Sequence, residues 1–372
     1  MNESMEQPLS NDTETHVNKK RVSIVICCVV ILSLIGVFIG LHLSKTVSTT
    51  REDTRTPFMK KIFPASPTPT PLPFGEMTIP SLRSRHYAST LGEKNIVSEN
   101  DSYTSYLTSY TSDGLQINGL LTIPKGQAPK NGFPAIVFIH GYIPPTQYKT
   151  LERYVDYVDY LARNGFVVFK IDLRGHGDSQ GQAGGGYFGS DYVVDTLNAY
   201  AALEKADFVD PKAIGLWGHS MAGNIVLRSL AIHPTIPAAV IWAGAVYSYT
   251  DLVKYGIQDN SYRPPNSNAR QQNQRRLLFE KYGSPSAQSI FWRQVASTNY
   301  LDDLKGAIQI DQAIDDDVVN IGYSRDLNAL LDKTAVPHEF HEYPSGGHNI
   351  SGTSFDQAMS QTVAFFKRYL SK

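Results

Sequence analysis

A mostly parallel β-sheet with helices on both faces is the fold class this sequence predicts, and three observations carry the prediction. Short continuous apolar runs, such as Ala135-Ile136-Val137-Phe138-Ile139, fit strands buried on both faces. Stretches of helical spacing alternate with those runs, as parallel strands require for their crossovers. The segment Gly218-His219-Ser220-Met221-Ala222-Gly223 then joins one such run to one such helix through a turn of small residues. At 372 residues, 41% hydrophobic and 19% charged, the chain can bury a full core.

The N-terminal part reads differently. Residues 1–21 are polar and end in Lys19-Lys20-Arg21, and residues 22–43 form a nearly unbroken apolar segment without a formal charge. Such a length spans a hydrocarbon core of about 30 Å as a helix. It is longer than the apolar region of a signal peptide, and Leu41-His42-Leu43-Ser44 is a poor cleavage site. The reading is a retained single-pass anchor. The basic cluster before it places the 1–21 tail in the cytoplasm and the rest of the chain outside. Residues 44–74 form a spacer whose end is rich in proline, suited to an extended stalk. Residues 75–372 are then one folded domain. Its first stretch, 75–100, carries no clear pattern.

From 102 onward the elements can be justified in turn. Runs 102–111 and 115–123 form a hairpin about Asp113-Gly114. The buried strand at 135–139 follows, then a helix over 150–164 on Leu151, Tyr154, Val158 and Leu161, stopped by Asn164-Gly165. Strand 166–171, helix 189–205, strand 213–216, helix 221–233 and strand 238–243 continue the alternation. Residues 247–300 break it: they are polar and aromatic and read as a cap-like excursion over the C-terminal edge of the sheet. Strand 307–310, helix 324–332, strand 339–343 and helix 354–370 complete the chain.

Composition excludes some functions. A net charge of −1 gives no basic excess for nucleic acid. Both cysteines, Cys27 and Cys28, lie in the first apolar segment, so the remainder holds no disulfide or thiolate-metal framework. His338-Glu339-Phe340-His341 lacks the spacing of a zinc-binding H-E-x-x-H pair. The chemistry read below calls for no cofactor and no metal.

A serine hydroxyl needs a histidine to take its proton, and the histidine needs a carboxylate to fix its tautomer. In an open α/β sheet these groups come from loops at the C-terminal ends of strands. Ser220 is the candidate nucleophile. His348, in Ser345-Gly346-Gly347-His348-Asn349 between the last strand and the last helix, is the candidate base. The candidate acid lies after strand 307–310, where Asp315, Asp316 and Asp317 are adjacent; Asp315 is chosen first and Asp316 second. The oxyanion of an acyl-transfer intermediate needs two converging N–H donors. Those of Met221, at a helix N-terminus, and Tyr142, in His140-Gly141-Tyr142, are assigned to it. His219, beside the serine, is expected to point elsewhere.

These residues carry a resemblance over about 103–370. The His140-Gly141 pair, Asp172-Leu173-Arg174-Gly175-His176-Gly177-Asp178-Ser179, the Ser220 turn, the Asp-rich turn and Gly346-Gly347-His348 together look like the α/β-hydrolase superfamily. Within it, the chain resembles the catalytic domain of the prolyl-oligopeptidase group, and esterases related to dienelactone hydrolase. The resemblance implies a serine hydrolase acting on a small ester or peptide, an ester being preferred, and the apolar segment at 22–43 makes it a membrane-anchored one. Prolyl oligopeptidases carry a large β-propeller for which the residues between spacer and hairpin leave no room. Two departures stand out: Ala222 where the motif has Gly, and Asp311-Gln312 where the family often has His-Gly. They motivate a second reading, a hydrolase-fold binding or scaffold module without turnover.

Overall fold

The computed structural model describes residues 74–184, 186–257 and 269–371. The tail at 1–21, the apolar segment at 22–43 and the spacer up to 73 lie outside these residues. Among the described residues no helix is long and apolar enough to cross a membrane.

The strands are β1 (Asn95–Glu99), β2 (Tyr103–Ser112), β3 (Leu115–Pro124), β4 (Phe133–Ile139), β5 (Val167–Ile171), β6 (Val209–His219), β7 (Ala238–Trp242), β8 (Ala307–Ala313) and β9 (His338–Tyr343). They form one sheet in the order β1-β2-β3-β5-β4-β6-β7-β8-β9. The first three strands and the β3–β5 pair are antiparallel, and every pairing from β5 to β9 is parallel. Strand β5 lies on one side of β4 and β6 on the other, so the order reverses at β4. The crevice at such a switch point opens at the C-terminal strand ends.

The helices follow from the same apolar arithmetic. They are α1 (Ile79–Arg83), α2 (Val155–Arg163), α3 (Asp191–Glu204), α4 (Ala222–Ile232), α5 (Thr250–Tyr255), α6 (Ala269–Tyr282), α7 (Ile290–Val295), α8 (Gly322–Leu331) and α9 (Thr353–Leu370). One core cluster joins α3, α4 and α8 to one face of the sheet, with Val137, Phe169, Leu216 and Ile241 among its members. A second, with Phe138, Trp217, Trp242 and Phe366, covers the other face under α2 and α9. Successive strand residues thus serve opposite clusters, as the pleat requires. Every residue of β5, β7 and β8 is buried, the pattern of a two-sided sheet.

Three expectations need correction. The unassigned stretch 75–100 contains α1 and the edge strand β1, all five of whose residues are exposed. With neither face buried, no alternation could mark it. Helix α2 starts at Val155 rather than 150, because Tyr154 adopts φ +58°. Strand β6 starts four residues early, through Asp210, Pro211 and Lys212. The break at 247–300 holds the short helices α5 and α7 and the longer α6, with the buried Trp292 packing on Tyr249 and Phe279.

Candidate active site

Register sets the site. Ile139 at the end of β4 is level with Gly218 of β6, and Gly218 is level with Ile241 of β7. The loop starting at His140 therefore runs beside His219 and Ser220. Ser220 occupies the left-handed region at φ +58°. Its N–H donates to the Trp242 carbonyl at 2.9 Å, and its own carbonyl accepts from Gly223 N–H at 2.9 Å. A non-glycine residue there is strained and persists only where its surroundings fix it.

The turn is tight because strand and helix touch. A Cβ on Gly218 would come within 2.6 Å of Val226 Cγ2, and one on Gly223 within 2.7 Å of the Gly244 Cα. Ala222, fully buried, fits its slot, so the departure from Gly is absorbed. Met221 follows at the start of α4, where the first helical amides have no partner a turn earlier and the dipole is positive.

His348 lies in the loop after β9. Its Nδ1 meets Asp316 Oδ2 at 3.0 Å and Oδ1 at 3.2 Å. The Asp316 side chain is fully buried and also accepts from the amides of Val318 and Val319, both at 2.9 Å. Burial alone would raise this carboxyl, but the His348 hydrogen bond and charge with the two amides outweigh it and hold it below the usual range. Gln312 adds a bond from Nε2 to Asp316 Oδ2 at 3.2 Å.

Asp315, the first choice from sequence, does not partner the imidazole. It is exposed, and its carboxylate accepts from Gly347 N at 2.8 Å and Gly346 N at 3.3 Å, bracing the histidine loop from outside. The turn after β8 sends adjacent side chains in opposite directions, and Asp316 is the one sent inward. Asp317 is exposed. Asp311 is buried elsewhere on β8, accepting from Tyr343 Oη at 2.7 Å and Gln309 Nε2 at 2.6 Å.

His219 was expected to point away from the site, and it does the opposite. The Gly141 N–H donates to Tyr154 Oη at 2.9 Å, and Tyr154 Oη meets His219 Nδ1 at 2.8 Å. His219 Nε2 lies 2.8 Å from the His348 carbonyl oxygen. The phenol accepts from Gly141 and so gives its proton to Nδ1. Nε2 then carries the ring proton and donates to His348. Burial, reinforced by the neighbouring His348, pushes the His219 pKa down to about 3. The ring stays neutral. One chain of hydrogen bonds thus ties together the loop after β4, the residue before the serine and the backbone of the candidate base. Tyr157 adds a second tie, from Oη to the Asn349 carbonyl at 2.8 Å.

The resemblance motif 172–179 lies behind the site and braces it. Asp172 accepts from Tyr148 Oη at 2.5 Å and from the Thr150 hydroxyl. Arg174 forks onto the buried Asp195 at 2.6 Å. His176 Nε2 reaches the Ile143 carbonyl at 3.2 Å, and its ring packs on His140.

Ser220, His219, Met221, Tyr142 and His348 all line one cavity of about 770 Å³. That volume suits a small organic substrate. The wall adds Tyr154, Tyr157, Tyr187, Tyr192 and Phe188, together with Arg153 and Arg275. Arg275 comes from the 247–300 excursion, whose aromatics and arginines the sequence reading expects to wall the pocket; Arg153, on a polar turn, is the one that reading missed. Among the described residues no group of His, Cys, Asp and Glu is arranged to hold a metal ion.

Residues 132–264 match the family model described as serine aminopeptidase, S33. The chain is similar to an uncharacterized peptidase, YuxL, of Bacillus subtilis, at 32% identity over 40% of this chain and 24% of that protein. It is equally similar, at 32% over 30% of the chain, to the thiohydrolase aneE of Aspergillus aculeatus, 33% of which is covered. The chain thus spans about a quarter to a third of these relatives. Among solved structures, an acetyl xylan esterase from Paenibacillus sp. R4 superposes with a TM-score of 0.56 at 19% identity, covering 78% of this chain and 92% of that one. The dipeptidyl peptidase 4 of Porphyromonas gingivalis gives a TM-score of 0.56 at 20% identity, covering 72% and 36%. At such identities the likeness establishes the fold alone. Strand order, the serine turn and these matches together make the chain a member of the α/β-hydrolase superfamily.

Proposed function

We propose that this chain is a serine hydrolase cleaving small esters through an acyl-enzyme, with Ser220 as nucleophile, His348 as general base and Asp316 as the orienting acid. The observation that carries the reading is the pairing of a left-handed serine at a strand–helix turn with a histidine whose Nδ1 is held by a buried carboxylate, both opening on one cavity. Ser220 Oγ attacks the carbonyl carbon while its proton passes to His348 Nε2. The amides of Met221 and Tyr142 receive the charge developing on the carbonyl oxygen. Collapse breaks the ester bond, and the leaving alcohol takes the proton from His348. A water then repeats the sequence and frees Ser220. The imidazolium formed in each half-reaction is stabilised by Asp316.

An ester is preferred to a peptide because nothing between the spacer and the hairpin supplies a gating domain for peptides. The apolar segment at 22–43 supports a tether holding the domain outside the cytoplasmic membrane face. The expected result with the full chain in mild detergent is covalent labelling by a fluorophosphonate, hydrolysis of 4-nitrophenyl butyrate, and loss of both in Ser220→Ala. Folded wild-type protein that neither labels nor turns over would refute the reading. Protease protection of the C-terminal domain in sealed vesicles tests the topology.

A further inference from the structure

The cavity's charge carries a statement about substrate that the triad does not. Two arginines line it from separate elements: Arg153 from the turn before α2, and Arg275 from α6. Neither has a carboxylate partner among the described residues. Glu152 is the one carboxylate among the described lining residues, and Lys149 already neutralises it at 2.7 Å. The lining therefore carries an unbalanced positive charge, although the chain as a whole has a net charge of −1.

Arg275 is held by aromatic rings, and Arg153 stands beside a tyrosine of the site. Arg275 stacks over Phe188 at 5.3 Å and Phe279 at 5.4 Å, and Phe188 itself lines the cavity. Such stacking holds a guanidinium plane while leaving its N–H edge for an oxyanion. Arg153 immediately precedes Tyr154, whose hydroxyl bridges Gly141 and His219, and its charge acts on that phenol against the raising effect of burial. Positive charge thus lines the cavity from the turn before α2 as well as from the α6 wall.

Resting on the hydrolase reading above, we infer that the cavity takes esters or thioesters bearing a carboxylate, recognised by Arg153 and Arg275 against aromatic walls. A guanidinium meets a carboxylate through parallel charge-assisted bonds, which fixes direction as well as energy. A substrate with a free α-amine meets two like charges and no unpaired carboxylate among the described lining residues. Aminoacyl substrates are therefore disfavoured, which separates this chain from the aminopeptidase activity in the description of its family match.

The carboxylate could sit on the acyl part or on the leaving group, and paired substrates distinguish the two. On the acyl side, mono-4-nitrophenyl succinate is compared with 4-nitrophenyl butyrate. On the leaving-group side, 4-acetoxybenzoate is compared with its methyl ester. Alanine 4-nitroanilide supplies a cationic control. With each rate corrected for hydroxide reactivity, one acid-bearing member exceeds its neutral partner about tenfold in kcat/KM at low salt. The ratio falls towards one in Arg153→Gln and Arg275→Gln, and on raising ionic strength to about 0.5 M. Succinate should also slow fluorophosphonate labelling of the wild type, a test that needs no variant. Neutral-ester turnover with equal or inverted preference and no protection by succinate overturns this inference alone. Absence of labelling and of any hydrolysis overturns it together with the hydrolase reading.

Discussion

The floor of the cavity and its wall at 247–300 are built on opposite principles. On the floor, the polar groups are tied down by partners from neighbouring strands. The serine is fixed by backbone bonds on both sides, the carboxylate by two amides, and the histidine loop by His219, Tyr157 and Asp315. The described part of the wall consists of α5, α6 and α7, joined through aromatic contacts. Trp292 sits among Tyr249, Phe279 and Phe291, and Tyr282 stacks on Phe291 at 3.9 Å. The difference teaches where each property resides. On the reading proposed above, reaction type belongs to the sheet edge, where strand register dictates distances, and selectivity is shared between Arg153, before α2, and a wall that register does not constrain.

The largest expected effect separates two neighbours on the floor. Asp316→Asn should lower kcat about 10⁴-fold, since the amide no longer fixes the imidazole tautomer. Asp315→Ala should cost about tenfold, because it frees only two loop amides. Stopped-flow acylation rates measure both, and equal losses would erase the distinction drawn between the two carboxylates. Next, Trp292→Ala should destabilise the wall by about 3–5 kcal/mol. Denaturant unfolding reads that loss, while fluorophosphonate inactivation of Ser220 should change less than tenfold. If labelling vanished together with the wall, the floor would not be independent of it.

His219→Leu removes the donor to the His348 carbonyl and should slow acylation about tenfold, close to one charge-free buried hydrogen bond with its unpaired carbonyl. His219→Gln can still present an N–H there and should recover part of the loss. A purely packing role would favour Leu. The smallest effect concerns stability and pH. Burial raises the Asp311 carboxyl to about 7, against the hydrogen bonds from Gln309 and Tyr343. Its folded pKa exceeds its unfolded value of about 3.9. The fold therefore prefers the protonated form, and the stability it contributes is complete below about pH 4 and lost as pH rises through 7. Wild type should lose more Tm between pH 5 and 8 than Asp311→Asn, by calorimetry. Parallel curves would show that this carboxyl does not govern the slope.

Much of the floor was legible in the sequence because burial on two faces leaves runs such as Val240-Ile241-Trp242, and because few loops follow strands. The serine turn, the histidine in Gly346-Gly347-His348 and the chain order of the acid followed from that. Choosing Asp316 over Asp315 did not, since the choice depends on how a turn twists after β8. The role of His219 was hidden for a related reason. Its partner Tyr154 sits at φ +58°, where helical spacing alone reads an ordinary helix position. Strand β1 lacks any buried face, and Arg153 comes to the cavity beside Arg275 only once the chain is folded.

The φ of Ser220 is imposed by bonds that involve no atom of its side chain: its amide on Trp242 and its carbonyl under Gly223. The Cα–Cβ bond of a small unbranched residue at 220 therefore keeps the same direction. A thiol or a carboxylate substituted there inherits the presentation ready-made. The backbone is in this sense a mount separable from the group it carries.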